Sequence, residues 1–208
     1  MRWNPAYSIL VAACLTVCGS STTWAQIDVG ASLYGAFTGT TNGNGTIQSP
    51  SNAAGGLLEV RHIANPIMGF EGTYSFNRAN QSYAPNGYAC PVLAPNCAPL
   101  PTAVSADAHE ITADWIPSVK ISNLRPFGVV GIGALFNEPQ GSTAATQSST
   151  RAVYVYGAGL DWGLLPHFGV RLQYRGNLYK APDLSKLYSS TNAFTHTAEP
   201  MIGVYLKL

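Results

Sequence analysis

The sequence predicts an all-β protein, an eight-stranded antiparallel up-and-down barrel that crosses a membrane. Three observations carry that expectation. Eight segments alternate apolar and polar residues with a period of two, the repeat of a strand. The connections between those segments alternate long and short. Only 10% of the 208 residues are charged, against roughly a quarter in ordinary soluble domains, so part of the surface must be hidden from water. No run of about 18 apolar residues follows the first thirty positions, so no spanning helix is expected there. A net charge of +1 gives no reason to expect a nucleic-acid partner.

Residues 1–25 read as an export signal and 26–208 as the barrel. Arg2 and the amino terminus supply positive charge, Ser8 to Val17 form a short apolar stretch, and Thr23 and Ala25 hold the small positions before a cut at Ala25–Gln26. Cys14 and Cys18 leave with the signal. Cys90 and Cys97 remain in an exported, oxidising compartment and are expected to pair as a disulfide closing a small loop. Two cysteines alone do not make a tetrahedral zinc site. The histidines show no ligand spacing, and no metal or cofactor site is expected.

The segments follow in order. The first starts at Ile27 and puts Ile27, Val29, Ala31, Leu33 and Phe37 on one face, with Asp28 opposite. The second, Gly56 to Ile63, carries Glu59 and Arg61 on its polar face. The third, Met68 to Asn77, sets Met68, Phe70, Tyr74 and Phe76 against Glu71. The fourth, His109 to Ile121, sets Ile111, Ala113, Trp115 and Val119 against Glu110, Asp114 and Lys120. The fifth, Phe127 to Phe136, fits poorly, because Val130 and Ile132 fall on the wrong face. The sixth, Arg151 to Trp162, sets Tyr154, Tyr156, Leu160 and Trp162 against Asp161. The seventh, Phe168 to Tyr179, sets Val170, Leu172 and Tyr174 against Arg171 and Arg175. The eighth runs from Phe194 to the C-terminus and sets Ile202, Val204, Leu206 and Leu208 against Glu199 and Lys207.

The long connections are Thr40 to Ala54, Asn80 to Asp107, Asn137 to Ser149 and Lys180 to Thr191. The short ones are Ala64 to Pro66, Ser122 to Arg125 and Gly163 to Pro166. Antiparallel neighbours joined this way place every long loop at one end and every short turn at the other, as in barrels of the outer membrane. The same faces could be folded the other way, with the apolar side inward, in a soluble lipocalin-like ligand-binding barrel. Two features favour the membrane reading. The polar face is rich in Gly, Ser and Thr, which suit a crowded lumen, and the apolar face carries Tyr and Trp near strand ends, as interfacial girdles do.

On the segments "YVYGAGLDWGL", "HFGVRLQYRG" and "GVYLKL", the chain resembles the small eight-stranded outer-membrane barrels of the OmpA/OmpX type. The resemblance covers Gln26 to Leu208. It implies residence in the outer membrane, outer-membrane lipid as surroundings, and recognition by the assembly machinery through the alternating terminal strand. Unlike the full-length OmpA pattern, no peptidoglycan-binding domain is expected after the barrel.

Asp28, Glu59, Arg61, Glu71, Glu110, Asp114, Asp161, Arg171, Arg175 and Glu199 form the candidate lumen network. Eight strands leave an interior that side chains can fill, so the network is expected to be a salt-bridged plug rather than a large open pore. Gly157 and Gly159 are expected to leave room for Arg171 and Arg175. The expected role is structural, adhesive or surface-recognising, carried by the polar outer loops, with the loop ligand unnamed. A lipid A-modifying barrel enzyme is the alternative. It would need a His, Ser and acid cluster at the outer boundary. His109 and Glu110 are adjacent on one strand, so they point to opposite faces, and no catalytic residue is expected.

Overall fold

The computed structural model describes residues 26–87, 101–141 and 143–208. The export signal at 1–25, its cleavage site, and the expected Cys90–Cys97 pair lie outside them. The described residues form ten strands: β1 (Gln26–Thr38), β2 (Thr41–Gly43), β3 (Thr46–Pro50), β4 (Ala53–Ile63), β5 (Gly69–Pro85), β6 (Thr102–Trp115), β7 (Leu124–Pro139), β8 (Ser149–Gly163), β9 (Phe168–Lys180) and β10 (Phe194–Lys207). Eight of these close a barrel. Going round it, β1 is followed by β4, β5, β6, β7, β8, β9 and β10, and β10 pairs with β1. Every pairing is antiparallel, so the closed ring leaves no open edge in the band that faces lipid.

The alternation decides which face is which. Leu33, Leu58, Val60, Phe70, Leu172, Ile202 and Val204 are exposed on the outside, while Glu59, Arg61, Glu71, Arg171 and Arg175 are buried inside. The apolar face points outward and the charges point inward, the reverse of a soluble barrel. Trp115 and Trp162 lie outside at the short-turn end, and Trp115 Nε1 donates to the Ile67 carbonyl at 2.6 Å. In the first short turn, the Asn65 side-chain oxygen accepts the amides of Ile67 and Met68, both at 2.9 Å, an Asx arrangement that fixes the reversal.

Four sequence expectations are corrected. Val130 and Ile132 are 56% and 63% exposed and face outward with the other apolar residues. Strand β7 is apolar on both sides, because Phe127, Val129 and Leu135 fill the interior. Segment four stops at Trp115 rather than Ile121. Pro117 has no amide to give to a ladder, so the chain leaves the sheet there, tucks Ile116 fully into the inner end of the barrel and leaves Lys120 exposed. The stretch Thr40 to Ala54 is not all loop, since it contains the β2–β3 hairpin paired to β5. Asn44 and Gly45 have φ of 51° and 74°, the left-handed pair that a two-residue hairpin turn requires. Finally, most of the described part of Asn80 to Asp107 is strand. β5 continues to Pro85 and β6 begins at Thr102, paired as far as Tyr83 with Thr102.

Candidate functional site

The interior of the barrel divides into two tiers. In the tier nearer the short turns, β4, β5, β8 and β9 bring Arg61, Glu71, Asp161, Arg171 and Glu59 together. Arg61 donates to Glu71 and, at 3.1 Å, to Asp161. Arg171 donates to Glu59 and reaches Asp161 through Nε at 2.6 Å. The Arg61 guanidinium lies 4.2 Å from the centroid of the Phe127 ring, and Arg171 lies within reach of both Phe127 and Tyr205. Arginine suits this site because its planar fork binds carboxylates and stacks on rings at once. Arg125, which the alternation did not single out, turns in at the inner rim and lies 3.9 Å from Asp28.

The second tier is gathered on Arg175 and holds Asp114, the ladder neighbour of Glu71, together with Glu110 and Glu199, which lie nearer the long loops. Arg175 donates to Asp114 at 3.0 Å and to the Thr112 hydroxyl at 3.1 Å. It approaches Glu71 at 3.6 Å and Glu110 at 3.7 Å. Glu110 accepts both contacts of the Asn177 amide, at 3.2 and 3.0 Å. Glu199 stands opposite Arg175 in the β9–β10 register, yet no guanidinium or ammonium of the described residues lies within 4 Å of it. Of the five bases that the sequence placed on this face, Lys120 is outside and Lys207 is half-buried at the inner rim, 5.6 Å from the Tyr205 centroid. Gly157 does stand opposite Arg175, but a side chain at Gly159 would strike the Phe127 ring. That glycine makes room for Phe127, not for an arginine.

The outer mouth is covered by ordered chain. Residues 181–193 fold across it, with Leu184 fully buried against Tyr83, Val104 and Ala106. Tyr83 ties the cover down from β5. Its hydroxyl donates to the Pro182 carbonyl at 3.0 Å and accepts the Leu184 amide at 3.0 Å. Burial pushes the Tyr83 phenol up to about 12. Gln48 of β3 also donates to the Pro182 carbonyl, at 2.9 Å, and Asn44 donates to the Ser190 carbonyl at 2.8 Å. On the other side, the Gln147 amide donates to the Leu184 carbonyl and the Lys186 amide to the Ala145 carbonyl, at 3.1 and 2.9 Å. These ties leave an open polar groove of about 760 Å³, lined by Asn44, Gln147, Arg151, Lys186, Tyr188 and Asn192 among others. The apolar residues Leu184, Leu187 and Tyr188 inside a largely polar loop are the signal from which this cover could have been read.

Two histidines sit on the outside of the barrel toward the long loops. His109 Nδ1 is 2.8 Å from the Tyr74 hydroxyl, and His196 Nε2 is 2.8 Å from the Tyr156 hydroxyl. Each is paired with a tyrosine of another strand, where the enzyme alternative needs serine and an acid.

The sequence profile of the outer membrane protein beta-barrel domain family matches residues 10–198. The chain therefore belongs to that family, and its place is the cell outer membrane. Its short turns accordingly face the periplasm and its long loops the exterior. Solved structures with the same fold include Ail, the attachment invasion locus protein of Yersinia pestis, in complex with the heparin analogue sucrose octasulfate. It is 15% identical, the match covers 88% of this chain and 99% of that one, and the TM-score is 0.53. Neisserial surface protein A is 14% identical over 88% of this chain and 97% of that one, with a TM-score of 0.54. The outer membrane protein OprG from Pseudomonas aeruginosa is 12% identical over 88% and 95%, with a TM-score of 0.53. No curated protein sequence matches the chain.

Proposed function

We propose that this outer-membrane barrel is a surface-recognition or adhesive protein that presents a rigid polar groove to the exterior and has no large open pore. The observation that carries the reading is the cover over the mouth. A solvated loop has no need of a fully buried leucine, yet Leu184 is 0% exposed and locked to Tyr83. Ordering a loop in advance lowers the entropy cost of binding something to it. The groove offers amides, hydroxyls, one ring and the cations Arg151 and Lys186, beside the single carboxylate of Asp183, a lining suited to a polar or anionic partner on another surface. The complex of Ail with a sulfated heparin analogue, named above, supports the same direction. The filled inner tier speaks against a large pore, because its three arginines and four carboxylates occupy the lumen of an eight-stranded barrel. The outward apolar band supports outer-membrane lipid as the permanent partner. The terminal strand β10, with Ile202, Val204 and Leu206 outward, supports delivery by the assembly machinery.

The test is adhesion of cells displaying the barrel to immobilised glycans, both neutral and sulfated, compared with Arg151→Ala/Lys186→Ala cells. Binding that falls at least about tenfold in the double variant, roughly 1.4 kcal/mol, supports the reading. Equal binding by both, or a steady large conductance of the pure protein in planar bilayers, refutes it.

A further inference from the structure

The two tiers of the lumen are not balanced alike. Among the described residues, the lumen below the cover carries seven carboxylates, Asp28, Glu59, Glu71, Glu110, Asp114, Asp161 and Glu199, and four guanidiniums, Arg61, Arg125, Arg171 and Arg175, with Arg151 above them in the groove of the mouth. Three of the four guanidiniums belong to the inner tier. The outer tier has Arg175 alone to face Asp114, Glu110 and Glu199. A carboxylate that is buried and unpaired is strongly unfavourable unless something positive joins it. Glu199 is 3% exposed.

Beside this excess lies a small, largely enclosed polar cavity of about 30 Å³. Roughly 10–15 Å³ is enough for one water-sized occupant. The cavity is lined by Glu110 and Glu199, by Asn137 and Asn177, and by Tyr179 and Thr197 among others. Three polar atoms of this lining have no hydrogen-bond partner among the described residues: Glu199 Oε2, Asn177 Oδ1 and Asn137 Nδ2. All three side chains are more than nine-tenths buried. The Asn177 amide nitrogen is already committed to the carboxylates, to Glu110 and also toward Glu199, which leaves its oxygen as a pure acceptor beside the unpartnered Glu199 Oε2. Two buried acceptors, excess negative charge and an enclosed space of this size describe a place for a small cation. The Asn137 amide, a donor, fits a water that completes the shell.

The donor set selects the class of ion. Every donor is oxygen, which suits hard cations. No group of three or more His, Cys, Asp or Glu residues suited to a metal occurs among the described residues, so the site lacks the carboxylate count of a calcium or transition-metal centre. We propose that the outer-tier cavity binds one alkali-metal cation, with water, between Glu199 Oε2 and Asn177 Oδ1. The ion would stand where the inner tier has its second and third arginines, and would make the outer half of the lumen as tightly filled as the inner half.

The mature full-length chain, folded in a zwitterionic detergent, is to be unfolded thermally in sodium chloride and in choline chloride at equal ionic strength. Sodium is expected to raise the midpoint by roughly 2–4 °C with saturation, as a ligand of the folded state does. Glu199→Gln should abolish the difference between the two salts, while Asp107→Asn, on the outer surface, should keep it. Rubidium-soaked crystals of the unaltered protein supply a second reading if Glu199→Gln does not fold, with one anomalous peak expected between Glu199 and Asn177. Equal midpoints in the two salts overturn the proposal, as does a sodium effect that survives in Glu199→Gln or a lumen without a rubidium peak. A midpoint indifferent to sodium but raised by mild acid would assign the compensation to a proton on Glu199 instead. Glycan binding plays no part in these readouts, so the outcome is independent of the surface-recognition reading.

Discussion

The inner and outer halves of the lumen are built on the same eight strands, yet they solve the problem of buried charge differently. The inner half matches Asp28, Glu59, Glu71 and Asp161 with Arg61, Arg171 and Arg125, and packs two of the guanidiniums against Phe127. The outer half holds its carboxylates with amides, hydroxyls and one arginine, and keeps a small cavity. The inner half is an ionic plug in which each charge depends on several others. The outer half is a polar chamber closed from above by the Leu184 cover. Strength is thus expected to concentrate toward the periplasmic end, and adjustable chemistry toward the exterior.

The most damaging single change should therefore strike the inner half. Arg171→Leu removes the partner of Glu59 and one partner of Asp161, both buried. Leaving Glu59 unpaired and Asp161 with Arg61 alone should cost about 3–5 kcal/mol, read as a loss of stability in urea titrations of the barrel in lipid vesicles. A loss below about 1 kcal/mol would mean that the inner tier is not the ionic plug described above.

The adjacent residue gives the control on the other face. Leu172 is exposed on the outer face of the barrel, the face turned toward lipid. Leu172→Arg should cost about 2–4 kcal/mol if the position is near the bilayer midplane, less near an interface. The two neighbours would then be costly for opposite reasons, one through a charge removed and one through a charge added.

Much of this contrast was legible in the alternation of residues. A period of two assigns faces directly, so the ten network residues could be placed inward wherever the two faces differed in polarity. It failed where they did not. In β7, Phe127 and Val129 inside and Val130 and Ile132 outside are equally apolar, and only the arginine stacked on Phe127 explains why an aromatic belongs in the lumen. It failed again beyond the bilayer. Past Asn77, β5 continues through "RANQSYAP", where the outer face meets water rather than lipid and the inner face buries Gln81 and Tyr83 beneath the cover, so the contrast of polar inside and apolar outside is not required. The hairpin turn at Asn44–Gly45 carried its own signal, since Asn-Gly favours a two-residue hairpin turn, yet the expectation for that stretch was only a long connection. Arg125 was not, because it lies at a rim, where a strand's face assignment depends on where the turn begins.

The outer half should break differently from the inner half. Leu184→Ala empties the small apolar cluster beneath the cover, where Leu184 meets Tyr83, Val104 and Ala106. The local cost is expected to be about 2–3 kcal/mol, and it should be confined to the cover. Protease cleavage within 181–193 should become fast while the urea midpoint of the barrel stays in place, as for a segment that opens on its own. An equal fall in the global midpoint would make cover and barrel one cooperative unit, and the division of the molecule into two halves would then have to be redrawn.

The smallest effect should come from the surface of the projecting β5–β6 arm, outside the membrane. Arg78 Nε donates to Asp107 Oδ1 at 2.5 Å and Nη2 to Oδ2 at 3.1 Å, and Gln140 donates to the same carboxylate. The hydrogen bond from Arg78 holds the Asp107 carboxyl below the usual aspartate value of 3.8. A carboxylate whose folded-state value is depressed favours the folded arm when it is ionised. Its contribution is complete above the ordinary aspartate range and fades as pH falls through the depressed value. Because Arg78 is exposed, solvent screening keeps that contribution small. Amide-exchange protection at the end of the arm, around Ser82 and Ala103, should therefore weaken as pH drops below about 4, with protection at Thr73 and Thr112 in the barrel wall unchanged. In Asp107→Asn, protection at the arm should be lower from the start and flat over that range. If the variant keeps the acid dependence of the unaltered chain, the pair is not its origin, and the arm is held by its ladder alone.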